Sequence, residues 1–221
     1  MIIFYRIPNE SPNMIKITMM LQETGLPYVE KIINDDEDME AFAEISPNGT
    51  TPAIVDTDTG ATLFESAAIL LYLAEKSGEL LPTDTRLRAD VLKWLMFEAS
   101  NVCPTMIELH HYLVNDFGQL PGAVLERYKQ RIANYCSILN ERLKESKYLV
   151  GEYSIADIIL YPWTVTLEDL AEIEIADYPY LNNWAMRINE RVKAIETTQA
   201  PSEQRDWCYK NNAFTFCTAQ H

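Results

Sequence analysis

Two rhythms of apolar residues divide the chain. Over the first 78 residues, short β-forming runs alternate with runs at helical spacing. IIFYRI (2–7) is rich in β-branched and aromatic residues and predicts a strand. SPNMIKITMMLQETG (11–25) predicts a helix, with Ser11 suited to the cap, Pro12 to the first turn and Gly25 to the stop. Met14, Ile17 and Leu21 mark its apolar stripe. YVEKII (28–33) is a second strand, and DEDMEAFAEI (36–45) a short acidic helix or turn. AIV (53–55) and ATLF (61–64) flank the turn DTDTG (56–60) as a hairpin. ESAAILLYLAEKSG (65–78) predicts a helix ended by Gly78. The opening β-α-β implies a parallel pair with a right-handed crossover, and the hairpin adds antiparallel edges.

The strands then stop. Residues 79–87 are polar, contain Pro82 and read as a linker. From 88 to 221 the pattern is helical: one long helix over 88–116, kinked by Pro104, and another over 122–146. The second carries Leu125, Tyr128, Ile132, Tyr135, Leu139 and Leu143 along one face. YSIADIILYPWTVTLEDL (153–170) opens with Ser154-x-x-Asp157, a capping-box start, with Tyr153 placed to staple against Ile158. A last helix covers about 180–198, and the tail beyond it is irregular, with Trp207, Tyr209, Phe214 and Phe216 suited to packing on the body.

Composition narrows the function classes. A hydrophobic fraction of 48% supports a real core, and a net charge of -15 repels nucleic acid and anionic lipid. No apolar run approaches the roughly 20 residues of a membrane span, and the N-terminus has no basic leader, so a cytoplasmic protein is expected. Cys103, Cys136, Cys208 and Cys217 form neither a C-x-x-C pair nor a zinc spacing. His110 and His111 are neighbours on a helix and diverge by about 100°, so no metal site is expected.

Residue by residue, two positions stay open. Ser11 is a helix cap or a donor to a ligand. Pro52, pressed against an apolar strand behind the flexible Asn48-Gly49-Thr50-Thr51, ends a plain loop or keeps the preceding backbone clear for a partner. The motifs SPNGTTPAIVD, LFESAAILLYLAEKSG and YSIADIILYPW resemble those of the cytosolic glutathione transferase superfamily. The resemblance implies an α+β chain: a thioredoxin-like N-terminal domain (1–78) followed by an all-helical C-terminal domain (88–221) that carries a substrate pocket. SPNMIKI, HHYLVND and AVLERYKQRI resemble the branch that holds bacterial Nu-class transferases and a fungal nitrogen-regulatory prion protein.

That resemblance assigns chemistry. Redox folds of this type place their thiol at the start of the first helix. Here Ser11-Pro12-Asn13-Met14 stands there, without cysteine, so the thiolate is that of glutathione. Lowering a thiol from about 8.5 by about 2 pKa units requires roughly 3 kcal/mol of preference for the anion. One donor to a charged group supplies about 1.5–3 kcal/mol and a helix end about 0.3–1 kcal/mol. Ser11 and Asn13 are therefore the expected catalytic pair. The resemblance further implies a cis bond before Pro52, with Thr51 offering its N–H and C=O to glutathione like an added strand. Glu65 takes the γ-glutamyl ammonium, and Ser66 takes the carboxylate at a helix start. Arg127 reaches the partner subunit's site, so a homodimer is expected.

Two departures weaken the match. Thr50 stands where the branch has a basic residue, and Asp35, Asp36, Glu37 and Asp38 make a strongly acidic loop beside an anionic ligand. Lys16 and Arg6 are the nearest compensating cations. Cys103, Met106 and His110 are expected to line the second-substrate pocket with the tail. The reading is a glutathione-dependent transferase or disulfide-bond reductase acting on a small electrophile or disulfide. The alternative is a non-catalytic regulatory or interaction protein of the same fold.

Overall fold

The first strand organises the N-terminal half. In the computed structural model, which describes residues 1–8, 11–114 and 121–198, β1 (Ile2–Arg6) runs parallel to β2 (Tyr28–Ile32) and antiparallel to β3 (Ala53–Asp56). β3 forms the hairpin with β4 (Ala61–Phe64), giving the order β2-β1-β3-β4. Burial follows this order. Ile2, Phe4, Ala53 and Ile54 on the two inner strands are fully buried, whereas the edge strands β2 and β4 stay mostly exposed or half-buried.

α1 (Pro12–Thr24) starts at Ser11, whose side chain accepts from the Met14 N–H, and stops at Gly25 with φ 63°, a left-handed conformation in which glycine avoids a Cβ clash. The single apolar stripe expected for it understates its burial. Ile15, Lys16, Thr18, Met19, Met20 and Gln22 are buried as well as Met14, Ile17 and Leu21. The reason is its place between α3 (Ser66–Ser77) of its own domain and α7 (Ile155–Thr164) of the helical one. α2 (Asp36–Ala43) is capped by Asp35 and seats Phe42 in a small separate core with Tyr5, Ile33 and Ala53.

The linker is shorter than expected. α4 (Thr85–Phe97) begins inside the 79–87 stretch because Asp84 accepts from the N–H groups of Arg86 and Leu87 at 3.1 and 2.9 Å. The expected single kinked helix over 88–116 is two helices: α4 ends at Phe97, a π-helical turn spans Glu98–Val102, and α5 (Cys103–Val114) follows. The widened turn lies directly before Pro104, which has no N–H to give the carbonyl one turn back.

α6 (Gly122–Leu143) buries Ile132, Tyr135, Leu139 and Leu143 of the expected stripe, with Leu125 and Tyr128 half-buried. The Ser154–Asp157 capping box is formed at the start of α7. The Asp157 carboxylate also accepts from Leu149 N–H at 3.0 Å and Trp184 Nε1 at 2.8 Å, tying α7 to α9 (Pro179–Thr198). The helix expected over 153–170 breaks into α7 and α8 (Leu167–Ala171), where the Thr166 hydroxyl donates to the Trp163 carbonyl at 2.9 Å. Among the described residues no helix is long and apolar enough to cross a membrane. The aromatic tail, Cys208 and Cys217 lie outside the described residues.

Candidate functional site

Three polypeptide starts converge at one end of the sheet. The first is the N-terminus of α1, where Ser11 caps the helix at 3.4 Å from Met14 N and Asn13 is half-buried. The second is the entry to β3, where the Thr51–Pro52 peptide bond is cis. Thr51 is half-buried with its Oγ1 3.8 Å from Met14 Sδ, so this loop lies against the first turn of α1. The third is the N-terminus of α3, where Glu65 is exposed and Ser66 is buried.

Glu65 adopts φ 71° and ψ 115°, a conformation that side chains rarely occupy and that costs on the order of 1–3 kcal/mol. Although Glu65 stands at the cap, its side chain makes no capping hydrogen bond. The first N–H groups of α3 therefore keep their positive end directed outward, the arrangement that attracts a carboxylate.

A buried polar network lies beneath these starts. Lys16 and Glu98 are 0% and 1% exposed, with Nζ 2.5 Å from Glu98 Oε1. The ammonium also donates to Asn13 Oδ1 at 2.6 Å and to Ser66 Oγ at 3.4 Å. Trp163 Nε1 donates to the same Glu98 oxygen at 2.7 Å, and its ring centroid lies 5.7 Å from the ammonium. Above the network, the sulfur of Cys103 sits against the Asn13 amide, 3.6 Å from Nδ2 and 3.7 Å from Oδ1. Burial pushes the Cys103 thiol up to about 11, against the pull of Lys16, so it stays protonated at neutral pH. Among the described residues, the site thus offers hydrogen-bond donors to an anion beside a thiol that stays protonated at neutral pH.

Residues 10–76 match the glutathione S-transferase N-terminal domain, and residues 102–191 match the glutathione S-transferase C-terminal domain. The chain belongs to the glutathione S-transferase family. It is 41% identical to the disulfide-bond oxidoreductase YfcG of Escherichia coli, over 89% of this chain and 96% of the relative. It is 32% identical to the E. coli disulfide-bond oxidoreductase YghU, over 82% of this chain and 69% of that protein. Among solved structures, a glutathione transferase from Pseudomonas putida with one glutathione disulfide bound per subunit superimposes with a TM-score of 0.78 at 30% identity. The match covers 91% of this chain and 92% of the other. The thioredoxin-like domain followed by a helical domain is the fold of this family.

Within that family frame, the expected site residues divide. Ser11, Asn13, Thr51, Pro52, Glu65, Ser66 and Cys103 gather where the three starts meet. Lys16 requires correction. It is not a surface cation offered to glutathione in place of a residue at Thr50, because it is fully buried and held by Glu98. Arg6, the other cation considered, pairs with Glu30 at 3.3 Å. In the acidic loop, Asp35 and Asp38 are engaged at the start of α2, where Asp35 accepts from Asp38 N–H at 2.9 Å and Asp38 from Asn34 N–H at 3.0 Å.

Met106 and His110 follow Cys103 along one face of α5, but both are buried. Met106, at 1% exposure, lies in the helical core with Tyr135 and Cys136 around a small internal cavity. Burial, with His111 beside it, lowers His110 to about 4, so its imidazole is neutral at physiological pH. Arg127 is exposed on α6, with no hydrogen bond or ion pair to this cluster among the described residues. Glu98 and Trp163 are site residues that sequence reasoning missed. Their signal was a charge set in apolar company: Lys16 within MIKITMML and Glu98 within WLMFEASNV each require a buried partner.

Proposed function

We propose that the protein is a glutathione-dependent enzyme of the branch that includes the Nu-class transferases, and that its main chemistry is thiol-disulfide exchange by bound glutathione. The observation that carries this reading is Asn13. It sits at a helix N-terminus with its carbonyl oxygen accepting from Lys16, and its Nδ2 donates to a sulfur, that of Cys103 at 3.6 Å, the kind of donor a neighbouring thiolate would draw on. Glutathione fits the surrounding groups with its γ-glutamyl end at Glu65 and Ser66 and its cysteinyl backbone along Thr51. Its thiol lies at the start of α1, where the Asn13 amide, the Ser11 hydroxyl and the helix end favour the thiolate.

The exchange balances without a protein thiol. The bound thiolate attacks one sulfur of a substrate disulfide, forming a mixed disulfide and releasing the other sulfur as a thiolate. A second glutathione thiolate attacks the glutathione sulfur of that mixed disulfide. The products are glutathione disulfide and the remaining substrate thiol, with two electrons moved from two glutathiones to the substrate. The disulfide-bond oxidoreductases among the relatives, and the glutathione disulfide in the Pseudomonas structure, support exchange over conjugation to an electrophile. Burial, which holds the Cys103 thiol protonated, supports glutathione rather than the protein as the source of the thiolate in either reaction. The working form is a cytoplasmic homodimer, in which Arg127 is available to the neighbouring subunit.

The test is a variant with Cys103, Cys136, Cys208 and Cys217 changed to serine or alanine, assayed with glutathione and a model disulfide in a glutathione-reductase-coupled reaction. Activity within a few-fold of wild type is expected. A folded variant that binds glutathione but no longer reduces the disulfide overturns the template mechanism.

A further inference from the structure

Lys16 is completely buried, yet none of its partners requires a lysine for packing alone. Its ammonium carries three protons and no acceptor. Among the described residues, it donates to Glu98 Oε1 at 2.5 Å, Asn13 Oδ1 at 2.6 Å and Ser66 Oγ at 3.4 Å. Glu98 fixes the ammonium from the helical domain and is itself fixed by Trp163 Nε1 at 2.7 Å. The other two partners belong to the two helix starts that face the ligand in the reading above, α1 and α3.

The consequence concerns which end of each polar side chain faces outward. An asparagine amide can turn either its oxygen or its NH₂ toward a ligand. Lysine can only donate, so it holds Oδ1, and Nδ2 is left as the donor on the side where it meets the Cys103 sulfur at 3.6 Å. The opposite orientation would direct a carbonyl oxygen at a thiolate and repel it. A serine hydroxyl both donates and accepts. With Lys16 donating to Ser66 Oγ, the hydroxyl proton is left to donate elsewhere, which suits a carboxylate. One ammonium therefore sets two ambivalent groups as donors to two anions of the same ligand. Glu98 cancels its charge, so the effect is one of orientation and polarisation rather than of net positive charge at the surface.

We propose that Lys16, anchored by Glu98, is a positioning residue that holds Asn13 and Ser66 as hydrogen-bond donors toward the thiolate and the γ-glutamyl carboxylate of glutathione. The proposal rests on the glutathione reading of the site. A purely structural role, tethering α1 to the π-helical turn, would change stability and leave the bound thiol's ionisation unmoved.

The experiment uses two variants that each remove both buried charges. Lys16→Met with Glu98→Gln removes the donor. Lys16→Gln with Glu98→Gln keeps an N–H for Asn13. The thiolate absorbance of bound glutathione is titrated in each, alongside Asn13→Ala in the wild-type background. The expected result is a rise of about one pKa unit in the Met variant, equivalent to a tenfold loss of thiolate preference, with kcat falling more than affinity, and a smaller rise in the Gln variant. Asn13→Ala added to the Met variant should raise the value little further. Equal values for the two double variants, or no rise in either while Asn13→Ala alone raises it, overturns the positioning role. No rise with Asn13→Ala alone instead overturns the underlying reading of the thiolate site. Should neither double variant fold, the Lys16 ammonium is followed by nitrogen NMR in the wild-type protein. Slow solvent exchange with a contact to the Asn13 amide is expected, and fast exchange like that of a surface lysine overturns the proposal.

Discussion

Glu65 allows backbone strain and ligand affinity to be separated by two substitutions at one position. Its φ of 71° with ψ of 115° holds a non-glycine residue outside the usual regions, directly before the α3 N-terminus. Such a conformation costs on the order of 1–3 kcal/mol. Glu65→Ala keeps a Cβ and therefore the strain, and because the side chain is exposed and makes no capping bond, stability should change by less than about 0.5 kcal/mol. Glu65→Gly removes the strain but gives the unfolded chain more freedom, a penalty of roughly 0.5–1 kcal/mol. The glycine variant should thus be more stable than the alanine variant by up to about 2 kcal/mol, or several degrees in Tm at about 2–4 °C per kcal/mol. Both lose the same carboxylate. If it pairs with the glutathione ammonium, each should lose about 2–4 kcal/mol of affinity, a roughly 30- to 1,000-fold rise in Kd. Calorimetry with glutathione and thermal melts of the unliganded proteins read the two effects separately. An alanine variant more stable than the glycine variant would refute the strain argument, and an unchanged Kd in either would place the γ-glutamyl ammonium elsewhere.

Other expectations are narrower. Asn13→Ala should lower kcat more than it raises the Kd for glutathione, because its donor favours the thiolate; a change confined to KM would reduce Asn13 to a binding residue and shift the thiolate role to Ser11. Asp157→Ala leaves the N–H groups of Leu149 and Ser154 and the Trp184 Nε1 without their carboxylate, at about 1–3 kcal/mol for each buried donor, so urea denaturation should show a loss of about 3–9 kcal/mol. Asp56 should make the N-terminal domain acid-sensitive. Burial opposes its ionisation, but Lys76 at 2.8 Å, the Tyr72 hydroxyl at 2.6 Å and the Asp58 N–H outweigh that and hold the carboxyl well below its ordinary value. A depressed native value means the unfolded chain takes up the proton first. The stabilisation is then complete above a pH of about 5 and declines as pH falls through about 4 and below. Tm measured across that range should fall less steeply in Asp56→Asn than in wild type, and parallel curves would remove Asp56 as the source.

The parts of the fold legible in the sequence are those fixed by local chemistry. Ser11 with Pro12 and Gly25, the DTDTG turn, and Ser154 with Asp157 each determine an element boundary within a few residues, so the succession of strands along the chain, the ends of α1 and α3 and the start of α7 follow from the chain itself. Where the decision was tertiary, local pattern misled. The stripe of Met14, Ile17 and Leu21 predicted one buried face, yet α1 is enclosed from two sides by α3 and α7, and no window of sequence around α1 contains α7. The same holds for the site. Ser11, Asn13, Thr51, Glu65 and Ser66 sit at helix and strand starts, which motifs mark well. Lys16, expected as a cation that compensates at the ligand site for Thr50, carries a charge out of keeping with the apolar residues on both sides of it. A buried charge needs an opposite charge, and the candidates were those equally out of place. Glu98, 82 residues away behind Phe97 at the start of the π-helical turn, is such a residue. Burial of a lysine therefore cannot be read from its own neighbours, but the coincidence of two misplaced opposite charges in two apolar helices can be. Here that coincidence joins the two domains directly beneath the group proposed to hold the thiolate.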